Sequence, residues 1–219
     1  NAIWASCDTI IHSAAAVSFD SPLDSAVEIN LMGPVRIAEA CHAMNIRPHL
    51  VSVSTCYVAG NRRGSAPEAL VSEGHWDIGL DWRKEVKAAR RLRGDIEALS
   101  RSSEQLAARR DEARKELGAA GAPALAGKTE SLRESWVKAQ LVEAGRARAA
   151  SVGWPDAYAF TKALGEQALL GRFGGDEFIV VLRDGGEVFD PGAVAERLRE
   201  SIREAVDVEI VVGGDRRAY

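Results

Sequence analysis

Tyr158-Ala159-Phe160-Thr161-Lys162 places a phenol and a primary amine four residues apart. On a helix that spacing puts both side chains on one face, one turn apart. An ammonium close to a phenol lowers the phenol's pKa, so the pair can exchange a proton with a carbonyl near neutral pH. Hydride addition to a carbonyl leaves an alkoxide, which needs such a donor beside it. The spacing alone is common on surface helices. A third residue sharpens it: Thr55 closes the apolar run Val51-Ser52-Val53-Ser54-Thr55, and a hydroxyl at a strand terminus can bond the same carbonyl or satisfy the backbone.

These residues need a frame that brings them together. Thr9-Ile10-Ile11-His12 reads as a short strand entering a turn of small residues, Ser13-Ala14-Ala15-Ala16. Residues 22–44 read as a helix, opened by Pro22, with Val27, Leu31, Val35 and Ala38 at helical spacing. His49–Ser54 is a second buried strand. Strand, helix and strand make a parallel βαβ unit, and such sheets take ligands at the carboxyl ends of their strands. Residues 12–16 and 54–60 lie at that edge. After a loop over 61–81, a long charged helix is expected from Trp82 to about Leu117, its face marked by Trp82, Val86, Ala89, Ile96 and Leu99. A break at Gly118–Pro123 and a second helix over roughly 129–151 make an antiparallel hairpin, inserted before the Tyr158 helix. From Leu170 on, the pattern predicts a strand at Phe178–Leu182, an amphipathic helix over 193–205 and a last strand over 207–212. The fold class is therefore α/β: an incomplete Rossmann-like parallel sheet with an inserted helical hairpin and a short C-terminal β-α-β segment.

Composition suits a core-forming globular chain: 219 residues, 46% hydrophobic and 27% charged, with net charge −4. Charge is unevenly spread. Residues 82–150 carry sixteen Lys/Arg against ten Asp/Glu, a net +6, and the rest of the chain sums to −10. A basic segment of this kind attracts phosphates or is a solvated face; no nucleic-acid partner is expected. Cys7, Cys41 and Cys56 have neither C-x-x-C spacing nor a ligand-spaced His, which predicts reduced thiols and a cytoplasmic setting. No apolar run reaches the ~20 residues of a membrane span, so no integral membrane segment is expected. The start at Asn1, leading almost at once into a strand, suggests a fragment. Oligomeric state is not legible in the sequence.

Four motifs together resemble the extended short-chain dehydrogenase/reductases, and within them the fatty acyl-CoA reductases. They are Asp8-x-x-Ile11-His12-x-Ala14-Ala15, Asn30-Leu31-x-Gly33, Ser54-Thr55-x-Tyr57-Val58 and Tyr158-x-x-x-Lys162. The resemblance runs from about Cys7 to Leu170 and implies a partial NAD(P)-binding reductase domain over residues 1–170, with its helical insert at about 82–151. It implies that Ala14, Ala15 and Asn30 lie beside the cofactor and that Thr55 polarises the carbonyl. It further implies that Tyr158 is the acid and that Lys162 also holds the nicotinamide ribose. The cofactor would be NADPH (or NADH), and the substrate an acyl-CoA thioester reduced through an aldehyde. Arg90, Arg91 and Arg93 are candidates for the coenzyme A phosphates. The family's Gly-x-x-Gly-x-x-Gly turn, which cradles the pyrophosphate at a helix N-terminus, does not occur before Cys7. Weak or absent NADPH binding, and a chain inactive alone, are the expectation.

Residues 171–219 point elsewhere. Gly171-Arg172-Phe173-Gly174-Gly175-Asp176-Glu177-Phe178 and the apolar run after it resemble the GGDEF signature hairpin of diguanylate cyclases. That resemblance implies a divalent metal (Mg²⁺) at Asp176, with Glu177 assisting 3′-hydroxyl attack. The same residues also suit the strand that a reductase places after its Tyr/Lys helix. A diguanylate cyclase-type signalling protein, itself incomplete, and a non-catalytic chimeric remnant are the alternatives to the reductase reading.

Overall fold

A computed structural model of the chain describes residues 7–66, 79–118, 121–173, 178–182, 211–212 and 215–216. By backbone contacts the chain divides into residues 1–182 and residues 183–219. The first unit holds a three-stranded parallel sheet in the order β1-β2-β3, with β1 Thr9–His12, β2 His49–Thr55 and β3 Phe178–Leu182. The central strand β2 pairs Leu50 with Ile10 and Ser52 with His12 on one side, and Ser54 with Val181 on the other. The α/β parallel architecture read from the sequence is observed, and Phe178–Leu182 occupies the strand slot after the Tyr158 helix.

The helix between β1 and β2 has three parts: α1 (Leu23–Ala26), a π-helical stretch (Val27–Leu31) and α2 (Met32–Ala43). The wider turn, which helical periodicity does not reveal, accommodates an extra residue around Asn30. Against it packs α6 (Ala157–Phe173), which carries Tyr158 and Lys162. The approach is close: a Cβ on Gly165 would lie 2.7 Å from the Asn30 carbonyl oxygen. Leu23, Val27, Leu31 and Val35 meet Phe160, Ala163, Leu164 and Ala168 in one buried cluster. Full burial of Phe160 alone contributes on the order of 2–3 kcal/mol. A second cluster, Ala38, Leu50 and Leu169, joins these helices to the sheet.

The insert is three helices: α3 (Trp82–Ser100), α4 (Ser103–Leu117) and α5 (Ala122–Ser151). The single helix expected over 82–117 is broken at Arg101 and Ser102, because Ser102 Oγ accepts from Gln105 N (3.3 Å) and starts a new helix; Ser-x-x-Gln is an N-cap signature. The second helix begins at Ala122, seven residues before the expected start, with Pro123 in its first turn, a position that suits proline. Ion pairs Glu85–Arg148 (2.6 Å), Glu97–Arg133 (2.8 Å) and Glu116–Lys128 run in opposite directions along the two arms, so the hairpin is antiparallel. Arg133 is buried and also bonds Glu130 (2.7 Å) and Ser100 Oγ (2.8 Å); the Glu130 bond, foremost, raises its pKa. Val86 and Ala89 join the main core, whereas Leu99 is 54% exposed.

Cys7, Cys41 and Cys56 are free thiols. Among the described residues no helix is long and apolar enough to cross a membrane, and no group of three or more His, Cys, Asp or Glu could hold a metal. In the second unit, β4 (Val211–Val212) pairs antiparallel with β5 (Asp215–Arg216). The helix expected over 193–205, and Asp176 and Glu177, lie outside the described residues.

Candidate active site

The ends of β1 and β2 and the start of α6 converge for local reasons. Asp156 Oδ1 caps α6 by accepting from Ala159 N (2.8 Å). Just before it, Trp154 Nε1 donates to Val58 O (2.9 Å), and Asn61 N donates to Gly153 O (2.8 Å). Gly60 sits at φ 71°, where a Cβ would fall 2.5 Å from Gly153 O; glycine is required there both by conformation and by space. The turn after β2 is thus tied to the segment that leads into α6.

Thr55 and Tyr158 meet as a result. The Thr55 side chain hydrogen-bonds the Tyr158 phenol, and Thr55 Oγ1 also accepts from Tyr57 N (3.3 Å). Burial pushes the phenol's pKa up, the Thr55 bond pulls it down, and Asp156, Cys56 and Tyr57 add to the rise. The expectation that Lys162 would lower the phenol is not met, because burial dominates. The Lys162 ammonium is engaged elsewhere: Nζ donates to Val53 O at 2.7 Å, and the residue is only 6% exposed. Burial pulls the Lys162 pKa down, and Glu166 opposes that.

Asn30 is a structural clamp. Its Oδ1 accepts from Ala16 N (2.8 Å), and its Nδ2 donates to Ala16 O (3.2 Å) and Thr161 Oγ1 (3.1 Å). Buried and engaged at both ends, it shapes the turn that carries Ala14 and Ala15; Ala14 itself is exposed. Phe19, on the same loop, stacks edge-on against both Tyr158 (ring centroids 5.8 Å apart) and Tyr57 (6.1 Å). Arg90, Arg91 and Arg93 are each paired: Arg90 with Glu28 (2.6 Å), Arg91 with Asp95 (3.7 Å), Arg93 with Asp24 (3.4 Å) and Glu97 (3.8 Å). Arg90 and Arg93 fasten the insert to α1 and the π turn instead of presenting bare charge to a phosphate.

The NAD-binding family model described as Male sterility protein matches residues 1–189. The chain belongs to this family. Its match runs through β3, so the strand after α6 falls within the NAD-binding region. Similar proteins include an alcohol-forming fatty acyl-CoA reductase of Simmondsia chinensis, 28% identical over 83% of this chain and 31% of the relative. Fatty acyl-CoA reductase 2, chloroplastic, of Arabidopsis thaliana is 29% identical over 80% of this chain and 24% of that protein. The chain spans less than a third of the length of these curated relatives.

A nicotinamide cofactor is therefore the family's ligand, and its nicotinamide-ribose end fits the donors present. Lys162 has three N–H donors, and Val53 uses one. The 13–16 turn carries nothing larger than a serine side chain at the sheet's carboxyl edge. Two further participants went unassigned in the sequence, Ser54, which lies within a motif, and Glu166, which lies one turn beyond one. Ser54 Oγ donates to Glu166 Oε1, and both are buried. The signal was the stripe Tyr158, Lys162, Glu166 at four-residue intervals.

Proposed function

We propose that this chain is the carbonyl-handling part of an NADPH-dependent reductase acting on fatty acyl-CoA thioesters. The observation that carries the reading is the meeting of the Thr55 side chain with the Tyr158 phenol at the carboxyl edge of a parallel sheet, with Lys162 one turn along α6. The names and similarity of the relatives support the acyl-CoA substrate. In this reading Lys162 and the Ala14-Ala15 turn hold the nicotinamide ribose, and the bound cofactor supplies the hydride. Thr55 orients the substrate oxygen, and Tyr158 gives it a proton. The raised phenol suits an acid that stays protonated until charge develops on that oxygen. A cytoplasmic setting belongs to the same proposal.

The test is saturation-transfer NMR with reduced nicotinamide mononucleotide and, separately, NADPH. Saturation of nicotinamide and ribose protons, lost in Lys162→Met, is expected. No transfer from the wild-type chain, or transfer confined to the adenine end of NADPH, overturns the assignment. For the substrate, any NADPH oxidation that the chain supports should depend on long-chain acyl-CoA and vanish in Tyr158→Phe.

A second reading rests on Gly174-Gly175-Asp176-Glu177: a cyclase-derived segment that would take GTP and Mg²⁺. The parallel pairing of β3 with β2 weighs against it. Formation of cyclic di-GMP from GTP and Mg²⁺ would favour it.

A further inference from the structure

We propose that Glu166 is the counter-ion and positioning residue of Lys162, holding the buried amine as an ammonium one turn along α6 from Tyr158. Lys162 and Glu166 are 6% and 7% exposed, and they grip consecutive residues of β2. Lys162 Nζ donates to Val53 O, while Glu166 accepts from Ser54 Oγ. The next residue of that strand is Thr55. The two groups thus hold the end of β2 against α6 where the site forms.

An ammonium taken out of water loses its proton more readily unless a negative charge faces it. On β1 the titratable group is His12, which burial foremost, and Lys162 next, keep neutral; its Nδ1 has no hydrogen-bond partner among the described residues. Asp156, Cys56 and Tyr57 act on Tyr158. The charge acting on Lys162 is Glu166. Burial pushes the Glu166 carboxyl up to about 7, with Ser54 and Lys162 opposing. Above that value it carries a negative charge one helical turn from Lys162.

The catalytic meaning of this pair rests on the reductase reading; the ionisation does not, and needs no cofactor to observe. The experiment follows lysine ¹³Cε shifts against pH in the 219-residue chain, with Lys162 assigned by Lys162→Arg. In Glu166→Gln its proton affinity should fall about tenfold or more, a midpoint lower by about one unit, while the five other lysines stay put. Glu166→Asp should recover part of the shift. An unmoved Lys162 midpoint in a folded Glu166→Gln chain overturns the proposal. Should that variant fail to fold, the wild-type curve decides. The Lys162 signal must show a second inflection at the Glu166 midpoint, and a single inflection overturns the pairing. Failure of the nicotinamide NMR experiment would instead remove the reductase reading and leave these titrations unaffected.

Discussion

Asn30 grips Ala16 by both of its backbone polar groups, accepting from N at 2.8 Å and donating to O at 3.2 Å. A side-chain amide so placed imitates a neighbouring strand, and it does so at the end of the small-residue turn that follows β1. The third bond, to Thr161 Oγ1, links the clamp to the helix turn between Tyr158 and Lys162. Thr161 in turn donates to Ala157 O (2.7 Å).

Asn30→Ala should cost about 1–3 kcal/mol, because it leaves the Ala16 amide and carbonyl unpaired. Urea unfolding measures the loss, and hydrogen exchange at the Ala16 amide should quicken locally. Unchanged exchange there would show that the turn holds its shape without the clamp.

Thr55→Val removes the hydrogen bond that opposes burial at Tyr158, so the phenol should titrate at still higher pH than in the wild type. Ultraviolet difference absorbance resolves this once Tyr158→Phe has identified the signal among Tyr57, Tyr158 and Tyr219. A midpoint that moves down contradicts the bond.

Glu166 also sets a pH dependence of stability. Its folded-state pKa, about 7, lies above the ordinary carboxylate value. Its contribution is complete below about pH 4.3, and it is lost as pH rises through the folded value. Between those limits the loss is on the order of 3 kcal/mol. Glu166→Gln should flatten that decline. Parallel urea-midpoint curves for both chains across this window would refute the assignment.

Gly165→Ala should destabilise by about 1–3 kcal/mol, since its Cβ would meet the Asn30 carbonyl oxygen at 2.7 Å and backbone must move. Gly94, in the middle of α3 with nothing within 4 Å, is the control. There alanine should stabilise by roughly 0.5–1 kcal/mol. Thermal unfolding followed by helical circular dichroism compares the two.

Strand and helix identity were legible where local pattern governs. β2 reads as an apolar run, the Tyr158 helix is announced by Trp154-Pro155-Asp156, and Asp156 does cap it. Two boundaries were legible in principle and misread: Ser102-x-x-Gln105 starts α4, and Pro123 belongs to the first turn of α5. The π turn at Asn30 was not legible, because the surrounding residues keep ordinary helical spacing and the segment it packs against, at Gly165, is distant in the chain.

Residue types and spacing by themselves determined the placing of a phenol and an amine one turn apart on a helix, the parallel βαβ frame and the hairpin, since each follows from periodicity within a few helical turns or one strand. Tertiary structure alone decided what those groups do. Burial, not the nearby ammonium, sets the Tyr158 proton. Asn30 spends its hydrogen bonds on Ala16 and Thr161, and Arg90 and Arg93 close ion pairs with α1 and the π turn. Lys162 and Glu166 are buried, bonding Val53 O and Ser54 Oγ, because α6 packs against β2. Charge and hydrogen-bond capacity are written residue by residue, but which partner each group meets, and how much water remains around it, exist only once distant segments are packed together.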